Sequence, residues 1–278
     1  MKALIGLAFA TALALPTAAS EHSAAISVSE LSHIHGVVLL PNSDLALLAT
    51  HHGLFAVDSD GSARMVSEEA DDFMGFTAAI NGKLYASGHP ATRGNMGVIG
   101  AESSDGPWSK LSDGLQGPVD FHALSVSPAD PLVLYGTYRG IQVSRDGGRT
   151  WSMAGAGPDE VIDLAAAADD PGHLFAGTMS GLLESMDYGA TWTLAAAGGV
   201  PVTAVEIAPD GSLRVFIAGA GFARLEAGEI EVISDRTDDV FLHMAFDRED
   251  PGTVIAVTAE SDILTSNDGG QTWSAFAQ

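Results

Sequence analysis

Three near-copies of one eight-residue pattern punctuate the chain. SRDGGRTW ends at Trp151, SMDYGATW at Trp192 and SNDGGQTW at Trp273. The first interval is 41 residues and the second 81, two periods with a degenerate copy between them. A shortened relative, SSDGPW, ends at Trp108, 43 residues before Trp151. A unit of this size buries its apolar face only against neighbours of the same kind, so the chain must fold as an array. The pattern itself reads as a turn between strands. Its Asp accepts hydrogen bonds from the amides of its own turn, and the glycine after it allows a left-handed backbone. The Trp then opens the next strand, with its ring free to pack between units.

Six apolar segments, each ending in a Pro or Asp turn, carry the same period: HIHGVVLLP, FMGFTAAING, FHALSVSPADP, VIDLAAAADDP, VTAVEIAPDG and FLHMAFDREDP. A second apolar run follows each one, as in LALLAT, KLYASG and LVLYGT. From His33 to Trp273 this gives six units of about 40 residues, the size of a four-stranded blade. Only the Ala-rich stretch LAAAADD has a composition that suits a helix. The pattern S-x-D-x-G-x-T-W resembles the Asp-box (BNR) signature of sialidase-like and sortilin-like β-propellers, a group whose exported bacterial members are often labelled glycosyl hydrolase-like. The expected fold is all-β, a six-bladed β-propeller over residues 33–278. Residues 21–32 form an N-terminal extension whose ISVSEL is expected to add an edge strand to the last blade.

Residues 1–20 read as a signal peptide: one Lys, a short apolar stretch, then Pro and small residues. The 278 residues contain no cysteine, which removes disulfides and thiolate metal sites. A net charge of −24 repels nucleic acid and anionic lipid, which need clusters of Lys and Arg. These features predict a monomer in the periplasm or secreted, without membrane insertion once the signal is removed.

Propeller topology gives the histidines a shared place. The first strand of each blade starts on the face to which the loop between strands two and three returns. Superposing the first strands by their terminal turns puts His35, Met74 and His122 at one level, with His33 two residues before His35. His243 falls within one position of that column. The loops between strands two and three add His51, His52 and His89 on the same face. Seven of the nine histidines therefore converge, and only His22 and His173 stay outside. Imidazoles with a thioether and no thiolate suit copper, with zinc as the alternative. The expected site is an off-centre metal cluster of His33, His35, His51, His52, Met74, His89, His122 and His243. Neighbouring Gly36, Gly53, Gly75 and Gly88 are expected to let these side chains approach one another. The role implied is sequestration, delivery or sensing of a metal ion, with a periplasmic protein as a further partner. Cleavage after Ala19 would also leave Ser-Glu-His, a pattern that chelates Cu(II), whereas cleavage after Ser20 would spoil it.

The resemblance implies two other classes. A sialidase needs three arginines around a substrate carboxylate, and of the chain's nine only Arg93 and Arg139 are placed for that on the channel face. Another glycosidase would use paired carboxylates such as Asp120 and Asp163. A scaffold or assembly role would use a broad loop face with aromatic anchors, and few aromatics map there.

Overall fold

The computed structural model describes residues 25–40, 45–104, 106–226 and 228–277. Residues 1–20, read as a signal peptide, and His22 lie outside the described residues. Six antiparallel sheets follow one another, each built from strands consecutive in sequence. Blade one holds Ile34–Leu39, Ala46–Thr50, Gly53–Val57 and Ser62–Met65. Blade two holds Asp72–Ala78, Leu84–His89, Gly97–Ala101 and Ser109–Ser112. Blade three holds Leu124–Val126, Leu134–Thr137, Ile141–Ser144 and Ser152–Gly155. Blades four, five and six open with Val161–Ala166, Val202–Ile207 and Phe241–Phe246. The chain is a six-bladed all-β propeller. The Ala-rich stretch is a strand: Ala165 and Ala166 are buried and pair with Phe175 and Leu174. No helix of the described residues is long and apolar enough to cross a membrane.

The apolar core is divided among the seams between blades. Leu47, Ala49 and Leu54 of blade one pack with Phe73, Phe76 and Leu84 of blade two. Phe216 and Phe222 of blade five likewise meet Phe241 and Val254 of blade six. The ring closes where Val37 and Leu48 of blade one meet Ala245, Ile255 and Val257 of blade six.

The box turns build the outer scaffold as their sequence predicts. In the first, Asp146 accepts from the Thr150 amide at 2.8 Å and from its hydroxyl at 2.7 Å. The Trp151 indole donates to the Gly148 carbonyl at 3.0 Å. Asp187 and Asp268 repeat both contacts with Thr191 and Thr272. Hydrogen bonds from the Thr272 side chain and amide hold the Asp268 carboxyl down at about 2. Gly147 and Gly269 take the left-handed turn position at φ 72° and 75°, and Tyr188 adopts it at 64°.

The N-terminal segment departs from expectation. Ile26–Ser27 pairs with the fourth strand of blade one, through Ile26↔Ala63 and Ser27↔Ser62, and does not join the last blade. Blade one is thus five-stranded. A single turn follows, Val28–Glu30, capped reciprocally by Ser27 and Glu30. Its Val28 and Leu31 sink into the closing seam, where Phe276 and Ala277 also pack. The segment reaches blade six through side chains while its backbone satisfies the free edge of blade one.

The first strands of all six blades line a central cavity of about 360 Å³. Its wall is mostly apolar but carries Asp163, Glu206, His243 and Arg248. Burial drives the carboxyls of Asp163 and Glu206 up to about 7 and about 8, and Asp163 adds to the rise at Glu206.

Candidate metal centre

A bulge near the start of the first strand sets the geometry of the rim. It falls between Ile34 and Gly36 in blade one and between Phe73 and Gly75 in blade two. It recurs in blades four, five and six. His35 and Met74 therefore occupy unpaired bulge positions, where a side chain is re-aimed out of the ladder alternation. His122 stands four residues before Val126, as His35 does before Leu39 and Met74 before Ala78, each a ladder-paired residue at the far end of its strand.

The rim places the predicted histidines together. His51 packs edge-on against His35 with ring centroids 4.4 Å apart and against His33 at 5.0 Å. His52 lies further out, 6.5 Å from the His51 ring, and is exposed. His51 Nδ1 lies 2.8 Å from Asp72 Oδ2. Ligand atoms of His35, His51 and Asp72 all lie within 4.8 Å of one another. His35 Nε2 and Asp72 Oδ1 are buried and have no hydrogen-bond partner. Such orphans cost free energy unless something satisfies them. Burial, with His51 next to it, lowers the His35 ring to about 4, so it is neutral with a free lone pair near neutral pH.

The backbone supports this arrangement at visible cost. His33 takes a left-handed φ of 53°, held by its amide donating to Ser261 Oγ at 3.0 Å, and Ser261 is itself at 69°. Residues held this way cluster at functional sites. Gly75 and Gly88 serve the backbone rather than the imidazoles, while Gly36 and Gly53 make room for Phe76 and for Met65 with Ser67. A Cβ at Gly88 would lie 1.9 Å from the Asp72 carbonyl, and one at Gly75 would lie 2.4 Å from that of Phe121.

Asp120 organises the adjoining part of the rim. It is 6 % exposed, and its Oδ2 lies 3.0 Å from both His89 Nε2 and His122 Nε2. The bond to Asp120 raises the His122 pKa, and the charge of Asp72 acts in the same direction. A cavity of about 380 Å³ opens against Asp120 and His122, walled by Tyr138 and Arg139. His243 meets the cluster from the channel side, bonded to the Ile34 backbone, and burial followed by the neighbouring His35 lowers it to about 4.

Some predicted members contribute differently. Met74 is half-buried at its bulge. Asp72 is the donor that sequence reasoning passed over. His173 stays apart, paired with Glu184 at 2.8 Å and stacked on Phe175. Asp120 and Asp163 have separate partners: the first holds two rim imidazoles, and the second accepts from the Leu164 and Val205 amides. Arg214, Arg224 and Arg236 are tied to neighbouring acids, and Arg145 stacks on Tyr188.

Comparison with known proteins bears on the scaffold. The BNR/Asp-box repeat model matches residues 142–153 and 264–275. The chain is similar in structure to the GH74 xyloglucanase from Xanthomonas campestris, with a TM-score of 0.62 and 19% identity, covering 90% of this chain and 46% of that one. It is similar to the GH74 enzyme of Niastella koreensis at a TM-score of 0.62 and 16% identity, covering 88% and 45% of the two chains. The chain thus spans less than half the length of either enzyme, and these likenesses concern the fold. No curated protein matches it.

Proposed function

The chain carries BNR/Asp-box repeats on a six-bladed propeller, and from that premise we propose that its loop rim binds a divalent transition-metal ion. His35, His51 and Asp72 would hold the ion, with His33 beside them. The observation that carries this reading is that two of the three residues with mutually close donor atoms, His35 and Asp72, each also bury an unpartnered atom, Nε2 and Oδ1. Two imidazoles and a carboxylate suit Cu(II) and Zn(II) better than Cu(I), whose preference for thioether would need Met74 in the set. The donors are positioned by rigid first strands and a tight loop, as a selective site requires. Three protein ligands leave positions open, which suits uptake and hand-over of an ion in the periplasm or outside the cell. Sequestration or delivery of copper is the role these features favour, with zinc as the alternative ion and a protein acceptor as the partner.

Titration of metal-stripped protein with Cu(II), Cu(I) and Zn(II) tests the assignment. Wild type is expected to bind at least one divalent ion, and the His35→Ala/Asp72→Asn variant to lose on the order of 100-fold in affinity. Equal uptake by the two proteins overturns the site.

A further inference from the structure

The donors of the first site have counterparts one blade further round. The loop of blade one sends His51 to Asp72 of blade two, and the loop of blade two sends His89 to Asp120 of blade three, at 2.8 Å and 3.0 Å. The registers make these pairs equivalent: Thr50, just before His51, pairs with Ile34, and Gly88, just before His89, pairs with Phe73. Asp72 and Asp120 in turn each lie two residues before the rim-level position of their own strand, Met74 and His122. The two arrangements therefore occupy corresponding places on successive blades, with His51 facing its carboxylate through Nδ1 and His89 through Nε2. Among the described residues only the first set has three donor atoms all within 4.8 Å of one another, so the second closes by a swing of the exposed His122 ring. They differ in their bulge residues. The first set takes His35 from blade one, whereas the second has Met74 at that place and gains His122 from blade three.

The second set shows its own sign of an unmet ligand. Asp120 is 6 % exposed, its Oδ2 already serves two imidazoles, and its Oδ1 is buried without a partner. The cavity beside it supplies a route from solvent. We infer that His89, Asp120 and His122 form a second transition-metal site, quasi-equivalent to the first and distinct from it, so that the rim takes two ions. An ion there replaces the protons shared between the imidazoles and Asp120, which leave to solvent. The inference rests on reading the first set as a metal centre. His122 is close enough to affect His35 and to be affected by Asp72, so the two ions would sit as neighbours.

Stoichiometry decides it. Metal-stripped full chain is titrated with Zn(II), and bound metal is counted after gel filtration for wild type, His51→Ala and His89→Ala/His122→Ala. The His122 side chain is 65% exposed, so its removal does not open a core, and melting curves check that each variant is folded. The expected result is two ions in wild type and one in each variant. One ion in wild type, kept by His89→Ala/His122→Ala and lost by His51→Ala, overturns the second site and leaves the first. One ion lost by either variant means a single shared centre and also overturns it. No ion in wild type overturns both readings.

Discussion

At the scale of single residues, the rim depends on positions that contribute no ligand. Gly88 sits between the backbone that presents Asp72 and the loop that presents His89. A Cβ there would collide with the Asp72 carbonyl. Gly88→Ala is therefore expected to cost about 1–3 kcal/mol in urea unfolding, and to weaken metal binding in a titration by displacing Asp72. Asp72 also shows where sequence reading stopped short. It lies in the run EEADDF, which looks like a solvated acidic turn. Its signal was positional: it precedes Met74 by two residues, as His33 precedes His35 and Asp120 precedes His122. Histidine is scarce and draws attention, whereas one aspartate among 36 acidic residues does not. The histidine column was legible because first strands of equal length end in similar turns. That His35 and Met74 would sit on bulges was not, because a bulge changes side-chain direction without altering the sequence period.

At the scale of elements, the box turns separate into complete and incomplete forms. Trp151, Trp192 and Trp273 each donate their indole N–H to a glycine carbonyl of their own turn. Trp108, from the shortened SSDGPW, packs on Phe73 but leaves its indole nitrogen buried and unpartnered. Trp273→Phe is expected to lower stability by about 1 kcal/mol or more, since a hydrogen bond is lost and the Gly270 carbonyl loses its donor. Trp108→Phe removes an unsatisfied donor and is expected to be neutral or stabilising, as paired unfolding curves would show. The seams are less forgiving. Phe241 is fully buried, with its ring 4.6 Å from Phe216 and 4.8 Å from Trp273. Phe241→Ala is expected to cost about 3–5 kcal/mol. Period and turn chemistry made all six blades legible. The partner of the N-terminal strand was not, because an open sheet edge accepts main-chain hydrogen bonds with little regard to side chains.

At the scale of the whole molecule, the central channel gives folding a dependence on pH. Glu206 and Asp163 titrate at about 8 and about 7 when folded, against about 4 in an unfolded chain. The folded protein therefore holds more protons than the unfolded one from about pH 4 to 8, and stability falls as pH rises through that range. His243 and His35, both lowered to about 4, oppose the trend below their ordinary value of about 6.5, so the net fall is expected above that pH. Glu206→Gln keeps the acceptor for the Ile207 amide and removes the charge. Its melting temperature is expected to exceed that of wild type at pH 8 and to approach it near pH 4. A constant difference across that range would argue against buried ionisation as the cause.

Each blade uses strands consecutive in sequence, and no described strand is exchanged between the first blade and the last. The circle is therefore held shut at one place without strand pairing, chiefly by Val28, Leu31, Val37 and Leu48 packed against Ala245, Ile255 and Val257. Pairing within a blade is local and can form early, while closure joins residues from opposite ends of the chain and carries the greater loop entropy. The molecule behaves mechanically as a clasped bracelet, and the clasp is the joint between blades that the chain itself does not bridge. Amides of blades one and six should exchange with deuterium through a partial opening that leaves blades three and four protected. His33, joined through its amide to Ser261 of blade six, sits on the clasp itself. An ion held at the rim would then slow that opening, and occupancy would be readable as exchange protection at the joint.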